Sequence, residues 1–139
     1  MTLVGKFHPL LVHFPIALVL GAAAAELVAF TTARLAWRAV AFANLRAGAA
    51  IAVVTTITGW LLAWSPVVDA TPTLEWHRWI GMAGALGAVG AALMSFGLHV
   101  QSRRSVLTYR VTLFGAAVLV AIAGHLGGTL VWGSQFLRP

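Results

Sequence analysis

The chain has 139 residues, of which 60% are hydrophobic and only 9% charged, and its mean hydropathy is +0.93. A soluble domain devotes about 25% of its residues to charge because it must cover its surface with polar groups. Nine basic and three acidic side chains cannot do that here, so soluble enzyme folds are excluded and the composition is that of an integral membrane protein. The absence of cysteine removes disulfides, iron–sulfur ligation, c-type haem attachment and thiol chemistry.

A bilayer core of about 30 Å requires roughly 20 mainly apolar residues per helix. Four segments meet that demand in chain order: about 10–30, 45–64, 76–100 and 110–132, with an amphipathic lead-in to the second from Thr32. Closed barrels would show ten-residue alternation, which is missing. The expected fold is therefore a single all-α domain, a bundle of four transmembrane helices.

Charge orients the bundle. Arg34, Arg38 and Arg46 follow the first span, and Arg103, Arg104 and Arg110 precede the fourth, whereas the opposite side holds Lys6, Arg78 and Arg138 with Asp69 and Glu75. The excess of arginine on the two inner links predicts both termini outside and the links in the cytoplasm. Trp60, Trp64, Trp76, Trp79 and Trp132 fall at the expected outer interface and Trp37 at the inner one. The first span reads as uncleaved, because its basic cluster follows the apolar run instead of preceding it. The link SPVVDATPTLE (65–75) is too short for a catalytic domain, so any site lies between helices or at the interface.

Gly84 with Ala88 and Gly87 with Ala91 are spaced for close helix packing, and the same small residues would leave room for a planar cofactor. Thr55, Thr56 and Thr58 are expected to bond back to the preceding turn of their own helix. Glu26, an acid inside the first span, calls for a basic partner, with Arg34 and Arg46 the candidates; proton handling is the other role open to it.

Histidine placement is the most informative feature. His8 lies at the outer edge of the first span, His13 about one turn within it, His77 at the start of the third, and His125 in the outer half of the fourth; His99 is alone at the inner side. An imidazole in hydrocarbon marks a functional site by default. His125 sits in GHLGG, where glycines give its ring space and leucines offer no polar partner. The expected site is one haem b held by His13 and His125 as axial ligands, with His77 and His8 as alternates. Structural hydrogen bonding, another metal and proton transfer remain open for the same side chains.

The segments HPLLVHFPIAL (8–18), EWHRWIG (75–81) and GHLGGTLVWG (124–133) resemble, in order and spacing, the bacterial four-helix membrane family catalogued as domain of unknown function 2231. The resemblance covers nearly the whole chain. It implies a redox setting, since relatives occur alone or beside cytochrome- and Rieske-like modules, and it puts His8 and His13 on the first motif, His77 on the middle one and His125 on the last. Glu26 falls near an acidic position of that family.

The functional expectation is a b-type haem protein of the bacterial inner membrane that passes electrons near the outer face, as an accessory or electron-transfer subunit more than a stand-alone enzyme. Its partners would be the lipid bilayer and a cytochrome or Rieske-type protein, with a homo-oligomer also open. The alternatives are a cofactor-free structural or assembly subunit and a metal or proton transporter. The transporter reading is weakened by the scarcity of embedded acids, with only Glu26 well inside, and by the lack of a detectable inverted repeat. Hydrolytic chemistry lacks a nucleophile–base–acid set, and nucleic-acid binding is excluded because the basic residues are divided between two faces.

Overall fold

The computed structural model describes residues 2–66, 68–97 and 102–133. Among them the chain forms only helices: α1 (Thr2–Gly5), α2 (His8–Leu11), α3 (His13–Thr32), α4 (Leu35–Ala63), α5 (Pro72–Phe96) and α6 (Arg103–Trp132). The first three are one interrupted run, so four helical units, Leu3–Thr32 and the three that follow, are long and apolar enough to cross a membrane. The protein is a four-helix membrane bundle. Its helices extend beyond the apolar windows: α4 begins at Leu35 and α6 at Arg103, because a helix does not end where its polar turns begin. His99 and Arg138 lie outside the described residues.

Local chemistry sets the helix ends. Thr71 caps α5 by accepting a hydrogen bond from Leu74 N–H at 3.2 Å, and Pro72 follows where a missing N–H costs nothing. Ser102 caps α6 in the same way through Ser105 N–H. Ala33 ends α3 in the left-handed conformation at φ 55°, which lets α4 return antiparallel. At the start of the chain Pro9 and Pro15 each occupy a first helical turn, so the helix restarts after Phe7 and again at Val12. This broken segment lies against α4, where Gly5 approaches so closely that an added Cβ would stand 2.8 Å from the Leu62 backbone nitrogen.

The core is made of small side chains: Ala22, Ala23, Ala88, Ala91, Ala92, Ala116 and Ala117 pack with Val19, Leu45 and Leu113. Large apolar residues such as Leu27, Leu86, Leu93, Leu107 and Val118 face outward. This inversion of a soluble core is expected where lipid is the solvent and helices gain by approaching closely. The glycines serve that approach. A Cβ on Gly48 would meet Leu18 and Val19, one on Gly84 would meet Val120, and one on Gly87 would stand 3.1 Å from Ala116. Neighbouring helices thus fill the space that these positions were expected either to pack or to leave for a cofactor.

The two hairpins, α3–α4 and α5–α6, are copies of one design. A constant shift of 69 relates buried positions of their first helices (19 to 88, 22 to 91, 23 to 92, 26 to 95) and carries His8 onto His77. A shift of 68 relates their second helices (41 to 109, 45 to 113, 49 to 117, 52 to 120) and carries Trp64 onto Trp132. Both hairpins run in the same direction, so the repeat is parallel and brings equivalent residues together at the same end of the bundle.

Candidate functional site

One end of the bundle gathers His8, His77, Trp60, Trp64, Trp79 and Arg78; the other gathers Arg34, Arg38, Arg46 and Arg110. At the histidine end, His8 shares the helical face of Pro15, Val19, Ala22 and Glu26 and bonds inward to α4, while His13 and His125 occupy outward faces of α3 and α6. The structure brings together His8 and His77, which were the alternates, while His13 and His125, which were the first choice, are both exposed. The helical phase explains this. Val12 keeps helical dihedrals (φ −60°, ψ −27°), so the phase runs through it: His8 lies 18 residues, about five turns, from the buried Glu26 and on the same face, whereas His13 is about 140° round the helix from His8.

The two inward histidines are held identically. His8 Nδ1 is 3.0 Å from the Thr55 carbonyl oxygen, and its ring covers Gly59 so closely that a Cβ there would lie 2.8 Å from Cε1. His77 Nδ1 is 2.8 Å from the Ala123 carbonyl oxygen, and its ring covers Gly127, where a Cβ would lie 3.1 Å from Cε1. In each repeat the acceptor precedes the covered glycine by one helical turn (55 to 59, 123 to 127). A carbonyl can only accept, so each Nδ1 carries a proton, and a ring that bears no second proton has its lone pair on Nε2. The rings meet edge to face, with centroids 6.1 Å apart and planes at 79°.

An aromatic cluster flanks the pair. Trp60 contacts Trp64 at 5.9 Å and Trp79 at 6.1 Å, and the Arg78 guanidinium lies 3.8 Å from the Trp60 ring centre. Arg78 Nε is buried and makes no hydrogen bond among the described residues. No group of three or more metal-ligating side chains occurs among the described residues, so the histidine pair is the donor set this end offers.

The opposite end is built on Glu26, which is fully buried on α3. Its Oε1 accepts hydrogen bonds from Arg110 Nε at 2.8 Å and from Arg38 Nη2 at 3.3 Å. The expected partners, Arg34 and Arg46, are not the ones used. Arg34 sits in the turn beyond Ala33, and Arg46 is engaged elsewhere: it donates to Ser95 Oγ at 2.8 Å and to the Ser95 carbonyl at 2.9 Å, with its guanidinium 3.9 Å from the Phe96 ring centre. Cations suit these places because the carbonyl ends of α3 and α5 concentrate negative potential. Tyr109 is buried against Phe42 at 5.5 Å, and its hydroxyl and Glu26 Oε2 make no hydrogen bond among the described residues. The three threonines behave as expected: Thr55, Thr56 and Thr58 donate to Ile51, Ala52 and Thr55 carbonyls at 2.8–2.9 Å.

Sequence reasoning missed Arg38, Arg110, Ser95 and Tyr109 as members of this polar layer. Their signal was present: Ser95 is the repeat counterpart of Glu26. Comparison with curated proteins and with solved structures finds no match. The family model described as a predicted membrane protein, domain of unknown function 2231, matches residues 6–136, and the chain belongs to that family.

Proposed function

We propose that this protein is a small redox subunit of the bacterial cytoplasmic membrane that holds a b-type haem at the histidine end, with His8 and His77 as the iron ligands. The observation that carries this reading is the paired suspension of the two imidazoles. Fixing Nδ1–H on a main-chain carbonyl selects the tautomer, orients the ring and raises the basicity of the other nitrogen, which is how protein imidazoles are prepared for a metal. Because His8 and His77 come from different hairpins, a bound group at this position would tie the two repeats together.

The residues present fit such a group in three respects. The two rings stand 6.1 Å apart centre to centre, so both imidazoles would be available to one group held at this end. A direct N–H···N bond would draw the centroids nearer, to about 5 Å. Arg78 keeps a buried, unused Nε–H beside His77, a donor suited to a carboxylate of the group. Trp60 and Trp79 supply flat apolar surface and a barrier to water. When bound, the haem would supply reversible one-electron chemistry, and the protein's part is to hold it, exclude water and set its charge environment. The tryptophan-rich end is assigned to the outer face by the arginine excess at the other end.

A second reading, a cofactor-free subunit of a larger membrane complex, is favoured by the way neighbouring helices fill Gly48, Gly84 and Gly87. Haem content separates the two. The full chain, produced with ample haem and purified in mild detergent, is expected to carry about one haem per chain with two imidazole ligands. A preparation free of haem under those conditions overturns the proposal in favour of the structural subunit.

A further inference from the structure

The arginine end carries a second site that the haem reading does not use. A cleft of about 270 Å³ opens there among α3, α4 and α6, lined by Phe30, Arg34, Leu35, Arg38 and Arg110. Three arginines thus line one cavity. Among the described residues the one acid joined to them is Glu26, whose single bonded oxygen is shared by Arg38 and Arg110, so three positive charges against one negative leave a surplus of two. Arg34 makes no ion pair or side-chain hydrogen bond among the described residues. The other two are held in place: Glu26 anchors both from beneath, and Arg110 lies 4.5 Å from the Phe30 ring centre. Their side chains are 27% and 21% exposed, so they reach the cleft without leaving the protein.

The rim of this cationic cleft is apolar. Phe30 is 63% exposed and Leu35 is 77% exposed, on either side of the turn that carries Arg34. A free anion has no use for such a rim, whereas a phospholipid has both an anionic phosphodiester for the arginines and acyl chains for Phe30 and Leu35. The position at the ends of membrane-spanning helices is also the depth at which headgroup phosphates lie, and basic pockets between helices are suited to them. We infer that the cleft lined by Arg34, Arg38 and Arg110 binds the phosphodiester of an anionic phospholipid. Guanidinium is the right donor for this role, because its planar fork meets two phosphate oxygens at once. Glu26 acts as the positioning residue that keeps two of the forks aimed upward.

The test uses the full chain in mild detergent, titrated with phosphatidylglycerol, with phosphatidylcholine of the same acyl chains, and with inorganic phosphate. Bound lipid is counted by mass spectrometry of the intact complex, and the thermal unfolding midpoint is followed in parallel. Phosphatidylglycerol should be retained with about ten-fold preference over phosphatidylcholine, should raise the midpoint, and should not be displaced by millimolar phosphate. Arg34→Gln should lose at least about two-thirds of that preference while unfolding normally in phosphatidylcholine, and Arg34→Lys should keep part of it. Equal retention of both lipids, an undiminished preference in Arg34→Gln, or full displacement by inorganic phosphate overturns the assignment. Arg34 touches neither Glu26 nor the core, so loss of binding in its variants is not a folding defect.

Discussion

His8 and His77 are the same residue of two repeats: each hangs by Nδ1 from a helical carbonyl, each covers the glycine one turn beyond it, and their rings meet at 6.1 Å. This relation converts a gene-length pattern into chemistry. A residue placed once per repeat near the common end of parallel hairpins acquires a partner of its own kind, so one imidazole in the design becomes a pair in the fold.

The seat beneath each ring predicts how substitution behaves. Gly59→Ala brings a methyl to 2.8 Å from His8 Cε1 and should destabilise the bundle by about 1–3 kcal/mol, despite alanine's better helix propensity. Gly127→Ala should follow with a smaller loss, its contact being 3.1 Å. Gly115→Ala, which meets nothing, should be neutral or gain up to about 1 kcal/mol. Unfolding in detergent measures all three, and adding His8→Ala to Gly59→Ala should recover most of the loss. Independent, additive losses in that double variant would show that the ring is not what the glycine accommodates.

Glu26→Gln should cost on the order of 3 kcal/mol, because it strands two guanidinium groups around a neutral side chain. Arg110→Gln should be more damaging than Arg38→Gln, in keeping with contacts of 2.8 and 3.3 Å. Denaturation of the three variants in one detergent gives the ranking. A Glu26→Gln protein as stable as the wild type would mean that the arginines are solvated without the carboxylate.

Much of this architecture was legible in the residues. Four helices followed from apolar lengths, and the threonine hydroxyls bonded back as their spacing required. Which histidine faces inward was not legible from depth alone, because it turns on helical phase: His8 lies about five turns from the buried Glu26 on the same face, and His13 does not. A reading that starts the span at Leu10 favours His13. The repeat was visible in the shifts of 69 from His8 to His77 and 68 from Gly59 to Gly127, yet a search for inverted symmetry passes over a parallel copy. The partners of Glu26 were out of reach for another reason: Arg110 is 84 positions away, and only the contact of α3 with α6 makes it a neighbour.

Orientation has its own check. The excess of arginine on the links 31–46 and 102–110 predicts that the Asp69–Thr73 link lies outside the cell membrane. A single cysteine introduced there, in a chain that has none, should react in intact cells with a reagent that does not cross the membrane. Labelling only after the inner face is exposed would reverse the bundle and put the histidine pair on the cytoplasmic side.

The most direct test of the central claim is the visible spectrum of the haem-supplied protein compared across four single substitutions: His8→Ala, His77→Ala, His13→Ala and His125→Ala. The inward pair predicts that His8→Ala and His77→Ala each abolish the low-spin signal, by leaving iron five-coordinate or losing the haem, while His13→Ala and His125→Ala retain it. Loss of the signal in His13→Ala and His125→Ala, with His8→Ala and His77→Ala intact, would contradict the account and move the ligands to the outward faces of α3 and α6.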